Sequence, residues 1–300
     1  MKLLKYLKYI LVVWLLLTLL ICVGGIIKYN IDLNTYIDHE QPKENRNTNI
    51  SLSKETEVYV VGCVHFETDN IKRDDIYNYI KSISPDVILY ESDTNTVERM
   101  VNRTDFFNQL MSSFKKGNKV ESFVSLKYLD KHPQAMVLGY EWEERDAFHL
   151  KHNYLSTSSK MIGAVYNSYR QDLLTGSHLE LMDTFAAINK EYYKISPNAK
   201  VVYDLNNAKT DSIIRERQFY IYKRVPEIVK ARPELADYKD FAPLHMEYWD
   251  IRNKAMTANI LKQIKRHPNK RIVVLTGNTH RYYLIDELKK YEDELDFSVN

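Results

Sequence analysis

Apolar residues fall into three patterns along this chain, and each predicts a different kind of element. The first is an unbroken run, YILVVWLLLTLLICVGGII over residues 9–27, which carries no charge. At about 1.5 Å per helical residue this length matches the hydrocarbon thickness of a bilayer. The second is the short block. TEVYVVGCV, PDVILYES, QAMVLGYEWE and RIVVLTG each gather apolar residues and end at Gly or polar positions, as buried strands do. The third is helical spacing. Ile71, Ile76, Tyr79, Ile80 and Ile83 share one face, and Tyr248, Ile251, Met256, Ile260, Leu261 and Ile264 share another over 242–267, ahead of Pro268.

Between these elements, 95–116, 119–131 and about 282–291 are predicted as helices, and DFSVN at the end as an edge strand. Residues 28–55 are polar, Asn-rich and aperiodic, as a tether would be. From 144 to 236 the pattern is helical or irregular, apart from a weak strand, KVVYD, at 200–204. This stretch is expected to be a largely helical insertion or cap. Alternating strands and helices predict an α/β domain over 56–300, with a mainly parallel sheet covered by helices on both faces.

Charge bears on placement more than on fold. Lys2, Lys5 and Lys8 supply more than the whole net charge of +2. They put residues 1–8 on the cytoplasmic side of a transmembrane anchor at 9–27, with the domain extracytoplasmic. A cleaved signal peptide competes, but its core is usually shorter and ends in an A-x-A-like site. Cys22 invites a lipid anchor, although Ile21 stands where a small residue is wanted. The rest of the chain is nearly neutral and offers no concentrated basic face for nucleic acid. Cys22 and Cys63 are the only cysteines and cannot plausibly pair, so core packing must hold the domain together.

In open parallel sheets, ligands bind beyond the carboxyl ends of the strands. Here those ends carry Gly62-Cys63-Val64-His65, then Glu91, then Glu141 with Arg145, and finally Gly277-Asn278-Thr279-His280. Two Gly-x-x-His segments 215 positions apart, with carboxylates between them, form a natural ligand set for zinc, manganese, cobalt or iron. Such a metal would activate water. Every residue also has a plain structural reading. A strand-end histidine is commonly part of the framework, and Glu91 serves equally to cap a helix or pair with an arginine. Glu141 and Arg145 have the i,i+4 spacing of an ion pair. Gly62 and Gly277 suit tight turns, or let backbone approach a substrate closely. Asp250, Arg252 and Asn253 read as a solvated helix face, or Arg252 points into the site to steady a carboxylate or a developing oxyanion. Cys63 shares a strand face with His65 but has no evident orienting partner, which makes it a weak nucleophile candidate.

VYVVGCVH, PDVILYES and WDIRNKAMTANI followed by RIVVLTGNTHRYYLIDEL together resemble the TraB/Tiki-like superfamily, over roughly 56–100 and 245–290. The resemblance implies that His65, His280, Glu91 and Arg252 are its motif residues, with Asn253 and Met256 completing the helix match. In the Tiki branch it implies a membrane-tethered peptidase using manganese or cobalt. The chain departs from the pattern at Arg281-Tyr282-Tyr283, where the family has an apolar run. The leading expectation is therefore a membrane-anchored, metal-dependent hydrolase acting on peptide bonds, with esters possible. His65, His280 and Glu91 would hold a manganese, cobalt or zinc ion. Glu91, Arg252 and Asn253 would be catalytic, and Gly62, Gly277, Glu141 and Arg145 would line the binding site. The alternative is a binding protein that captures a peptide, haem or metal complex on the same rim.

Overall fold

A computed structural model describes residues 55–101 and 119–300. The chain divides into two compact units, and the larger comprises Leu52–Glu98 and Lys119–Asn300. Of the other, Met1–Ser51 with Arg99–Asn118, only Arg99–Val101 is described. The expected anchor at 9–27, most of the tether and the rest of the 95–116 helix lie outside the described residues. Among the described residues no helix is long and apolar enough to cross a membrane.

All four apolar blocks form strands: β1 (Thr56–Cys63), β2 (Val87–Tyr90), β3 (Met136–Gly139) and β4 (Arg271–Gly277). β5 (Phe297–Val299) is the predicted edge strand. The five make one sheet in the order β3-β2-β4-β1-β5, and every pairing is parallel. β2 and β4 are buried along nearly their whole length, as expected of a sheet covered on both sides.

Helices α1 (Arg73–Ile83), α2 (Thr94–Val101) and α3 (Val120–Lys131) connect β1, β2 and β3. The connection from β3 to β4 is helical throughout. It contains α4 (Arg145–His152), α5 (Tyr154–Arg170), α6 (Ser177–Asn198), α7 (Val202–Leu205) and α8 (Ala208–Phe219). A π-turn at Tyr220–Arg224, α9 (Val225–Ala231), a 3₁₀ turn at Pro233–Tyr238 and α10 (Phe241–Arg266) complete it. α11 (Asn278–Leu288) follows β4, and the short α12 (Glu292–Leu295) precedes β5. Val58, Val60, Val87, Leu89, Ile272 and Val274 on one sheet face pack with Met256 and Ile260 of α10 and Leu284 of α11. On the opposite face α3 meets the sheet, where the Tyr90 and Ser122 hydroxyls bond at 2.8 Å.

Two local expectations are corrected. KVVYD is not a strand, because the Asp204 carboxylate accepts the N–H groups of Lys200 and Val201 and turns the chain into α7. The helix expected over about 282–291 begins at Asn278, so the second Gly-x-x-His is a strand running straight into a helix. Connections leave β2 toward β3 and β4 toward β5 in opposite directions. That reversal opens a crevice between the carboxyl ends of β2 and β4.

Candidate functional site

Glu91, the residue after β2, turns into this crevice and is 7% exposed. Its Oε2 accepts Gly277 N–H at 2.6 Å and the Thr276 hydroxyl at 2.9 Å, which ties the ends of β2 and β4 together. Glu141, just past β3, is 2% exposed. Between the two carboxylates lies the guanidinium of Arg252, carried in by α10. Arg252 donates from Nε and Nη2 to Glu141 at 3.1 and 2.5 Å, and from Nη2 to Glu91 at 2.9 Å. Its Nη1 donates to His280 Nε2 at 2.8 Å. This fork engages two buried carboxylates and an imidazole at once, which a lysine could not do.

His280 sits in the first turn of α11. Because an arginine can only donate, His280 Nε2 is the acceptor and the ring proton lies on Nδ1. That proton goes to Asn253 Oδ1 at 2.8 Å, while the Asn253 amide donates to Trp249 O at 2.7 Å. The Trp249 indole stacks on the imidazole at 4.5 Å. Burial, reinforced by the Arg252 charge, lowers His280 to about 3, so the ring is neutral at ordinary pH. Burial alone would raise the Glu91 pKa. Arg252 and the Gly277 and Thr276 bonds outweigh it and hold the carboxyl well below the usual range. His280 adds to this only in acid, when it becomes charged.

His65 lies beyond the end of β1 with a half-exposed side chain. Its Nδ1 is 2.6 Å from Glu121 Oε1, and Glu121 is 1% exposed. The hydrogen bond to the Glu121 carboxylate raises the His65 pKa, although burial opposes it. With Nδ1–H held by the carboxylate, Nε2 carries the free lone pair of the neutral ring. A Cβ on Gly277 would stand 3.3 and 3.4 Å from His65 Cε1 and Nε2, and 3.5 Å from Glu91 Oε2. The missing side chain thus leaves a small cradle where His65 Nε2 and Glu91 face each other.

The predicted residues converge, in roles that differ in part from expectation. His65, Glu91, Glu141, Arg252, Asn253, Gly277 and His280 all meet at the crevice. Arg145 also contributes, donating to Glu141 at 2.7 Å, so the i,i+4 pair exists and is also part of the site. Gly62 does not face the crevice. A Cβ there would meet Arg281 Cδ at 3.0 Å and Asn278 Cα at 3.1 Å, so this glycine admits the start of α11 against β1. Cys63 is buried and donates to Thr276 O at 3.4 Å, and burial pushes its thiol well up, which removes it as a nucleophile.

Both His280 nitrogens are committed, and Glu91 already bonds Arg252, Thr276 and Gly277. Among the described residues no three His, Cys, Asp or Glu side chains form a metal-ligand group. As arranged, the donor set fits a buried guanidinium and not a divalent ion.

Two contributors escaped the sequence reading. Glu121 shares a helical face with the buried Val124, Ser125 and Tyr128, and a carboxylate on a buried face was the available signal. Asn206 accepts Gly62 N–H at 2.7 Å and donates to Gly62 O at 2.8 Å, clamping β1 just before His65. Nothing in its sequence context marks it. No protein family, curated protein or solved structure matches the chain.

Proposed function

We propose that this chain is a hydrolase whose active site is the crevice between β2 and β4, with His65 as general base. The observation that carries the reading is the His65–Glu121 pair, whose free Nε2 faces the Gly277 cradle beside Glu91. The neutral Nε2 takes a proton from the water that adds to the substrate carbonyl, and Glu121 steadies the resulting imidazolium. That imidazolium returns the proton to the leaving amine or alkoxide as the scissile bond breaks. Arg252 and the N-terminal end of α11 bias the crevice toward the anion that develops on a carbonyl oxygen. Glu91, Glu141 and Asn253 position Arg252 and His280. Phe66, 65% exposed next to His65, offers an apolar contact to a substrate side chain. A divalent ion is left out of this mechanism because His280 has no free lone pair to give it.

The resemblance in the motifs favours a peptide bond over an ester as the target. The apolar run at 9–27 behind three lysines supports reading the domain as extracytoplasmic on a membrane anchor. The test is a panel of quenched fluorescent peptides and aryl esters. His65→Ala should lower turnover of whichever substrate is cleaved by about 10²–10⁴-fold with unchanged Tm. Turnover undiminished in His65→Ala would remove the assignment.

A further inference from the structure

We propose that the chain carries a second ligand site, for a small organic cation, in a pocket built by α8, the π-turn, α10 and α11. The pocket has a volume of about 260 Å³, and Trp249, which stacks on His280, is the residue it shares with the crevice network. That volume holds on the order of nine water-sized groups, enough for an alkylammonium with a short tail.

Its walls are aromatic: Phe219, Tyr222, Trp249, Tyr282 and Tyr283. Their placement follows from local structure. The π-turn at Tyr220–Arg224 inserts an extra residue in the helical ladder, and Tyr222 stacks on Trp249 at 4.9 Å. Trp249 is in turn fixed by donating its indole N–H to the Tyr282 hydroxyl at 3.2 Å. Tyr283 stands edge-on to Tyr282 and is only partly buried, so it remains open to a ligand. Tyr282 and Tyr283 belong to the Arg281-Tyr282-Tyr283 segment, where the chain departs from the motif it otherwise resembles.

Charge then selects the ligand. Three carboxylates, Asp250, Asp286 and Glu287, line the pocket against two cations, Arg215 and Lys223. Both cations are already spent, Arg215 on Asp286 at 2.6 Å and Lys223 on Asp250 at 2.7 Å. The third carboxylate, Glu287, pairs at 2.5 Å with Lys290 outside the lining, so the lining itself carries one carboxylate more than its cations. The wall also already carries one cation, since the Arg215 guanidinium lies over the Tyr282 ring at 5.3 Å. Aromatic faces under a negative rim attract alkylammonium groups through the ring quadrupole.

The experiment titrates choline into the full chain and follows binding by saturation-transfer NMR. The uncharged isostere 3,3-dimethylbutan-1-ol and acetate are run in parallel. Choline should bind saturably and at least about tenfold more tightly than the isostere, with no binding of acetate. Tyr283→Ala and Glu287→Gln, each with unchanged Tm, should each weaken choline by several-fold to about tenfold. Equal binding of the isostere, no saturable choline binding, or full choline affinity in a folded Tyr283→Ala protein would overturn the assignment.

Discussion

Replacing Arg252 with Met removes one cation from a site that holds two buried carboxylates and a neutral imidazole. Arg252 makes four hydrogen bonds to Glu91, Glu141 and His280, with a side chain only 13% exposed. Methionine fills similar volume, so the loss is electrostatic and not a cavity. Removing one partner from a buried ion pair costs about 3–5 kcal/mol, because the other charge stays desolvated. Glu141 retains Arg145, and Glu91 retains Gly277 and Thr276, so the lower half of that range is expected at pH 7.

The pH dependence separates this mechanism from ordinary packing loss. Burial is the largest influence on both carboxylates and acts to raise their pKa. Without Arg252, the folded-state pKa of Glu91 should rise above its unfolded value. Such a group contributes stability below its unfolded pKa and loses it as pH rises through the folded one. The deficit of Arg252→Met relative to wild type should therefore shrink as pH falls from 7 to 5. Urea unfolding at several pH values reads it directly, and Arg252→Met/Glu141→Gln should recover about 1 kcal/mol or more at pH 7. A deficit below about 1 kcal/mol, or one that is flat with pH, would refute the reasoning.

Three further outcomes follow from other parts of the site. Neutral His65 is the active base and its pKa is raised, so kcat/KM should rise with pH through a value above about 6.5. Glu121→Gln should move that limb downward, and an unmoved limb would dissociate Glu121 from His65. His280, and outside the site His245 on α10 (1% exposed), are held neutral by burial, at about 3 and about 4, while the unfolded chain protonates near pH 6.5. Each should cost about 1–2 kcal/mol between pH 7 and pH 5, partly offset by His65, so the urea midpoint should fall over that window. A constant midpoint would contradict their neutrality. Gly277 has φ −58° and ψ 137°, which alanine adopts freely, but its Cβ would fill the cradle beside His65. Gly277→Ala should fold with normal stability and lose about 10²-fold in activity; full activity would show that the cradle is not the reaction site.

The strands were legible because each is a short apolar block closed by glycine or polar residues, and parallel burial leaves them no alternation to hide. The rule that ligands sit at strand ends then located His65, Glu91, Glu141, Arg145, Gly277 and His280 without any coordinates, while Arg252 and Asn253 came from the helix pattern and the resemblance. What the pattern lacked was direction. It did not reveal that His280 belongs to a helix, since Asn278-Thr279-His280 carries no capping residue before it, only Gly277. KVVYD has strand propensity, but its own last residue, Asp204, outweighs it locally by accepting two backbone N–H bonds. Glu121 was readable in principle from its helical face, whereas Asn206 acts through a backbone 144 positions away, which no local pattern can register.

Residue types alone do not separate a metal site from an arginine site. A divalent ion and a guanidinium answer the same need, positive charge between carboxylates beside an imidazole, so one set of residue types suits both. Here the place is taken by the guanidinium, since Arg252 Nη1 holds the lone pair on His280 Nε2 that an ion would require. An ion can take that position only by detaching Arg252 from Glu91, Glu141 and His280 together. Removing the arginine should then create the metal site that its presence prevents. Arg252→Met should bind Mn²⁺ or Zn²⁺ more tightly than the unaltered chain, by isothermal titration, and gain thermal stability on adding it. If the unaltered chain binds either ion as tightly as the variant, Arg252 does not occupy the cation's place.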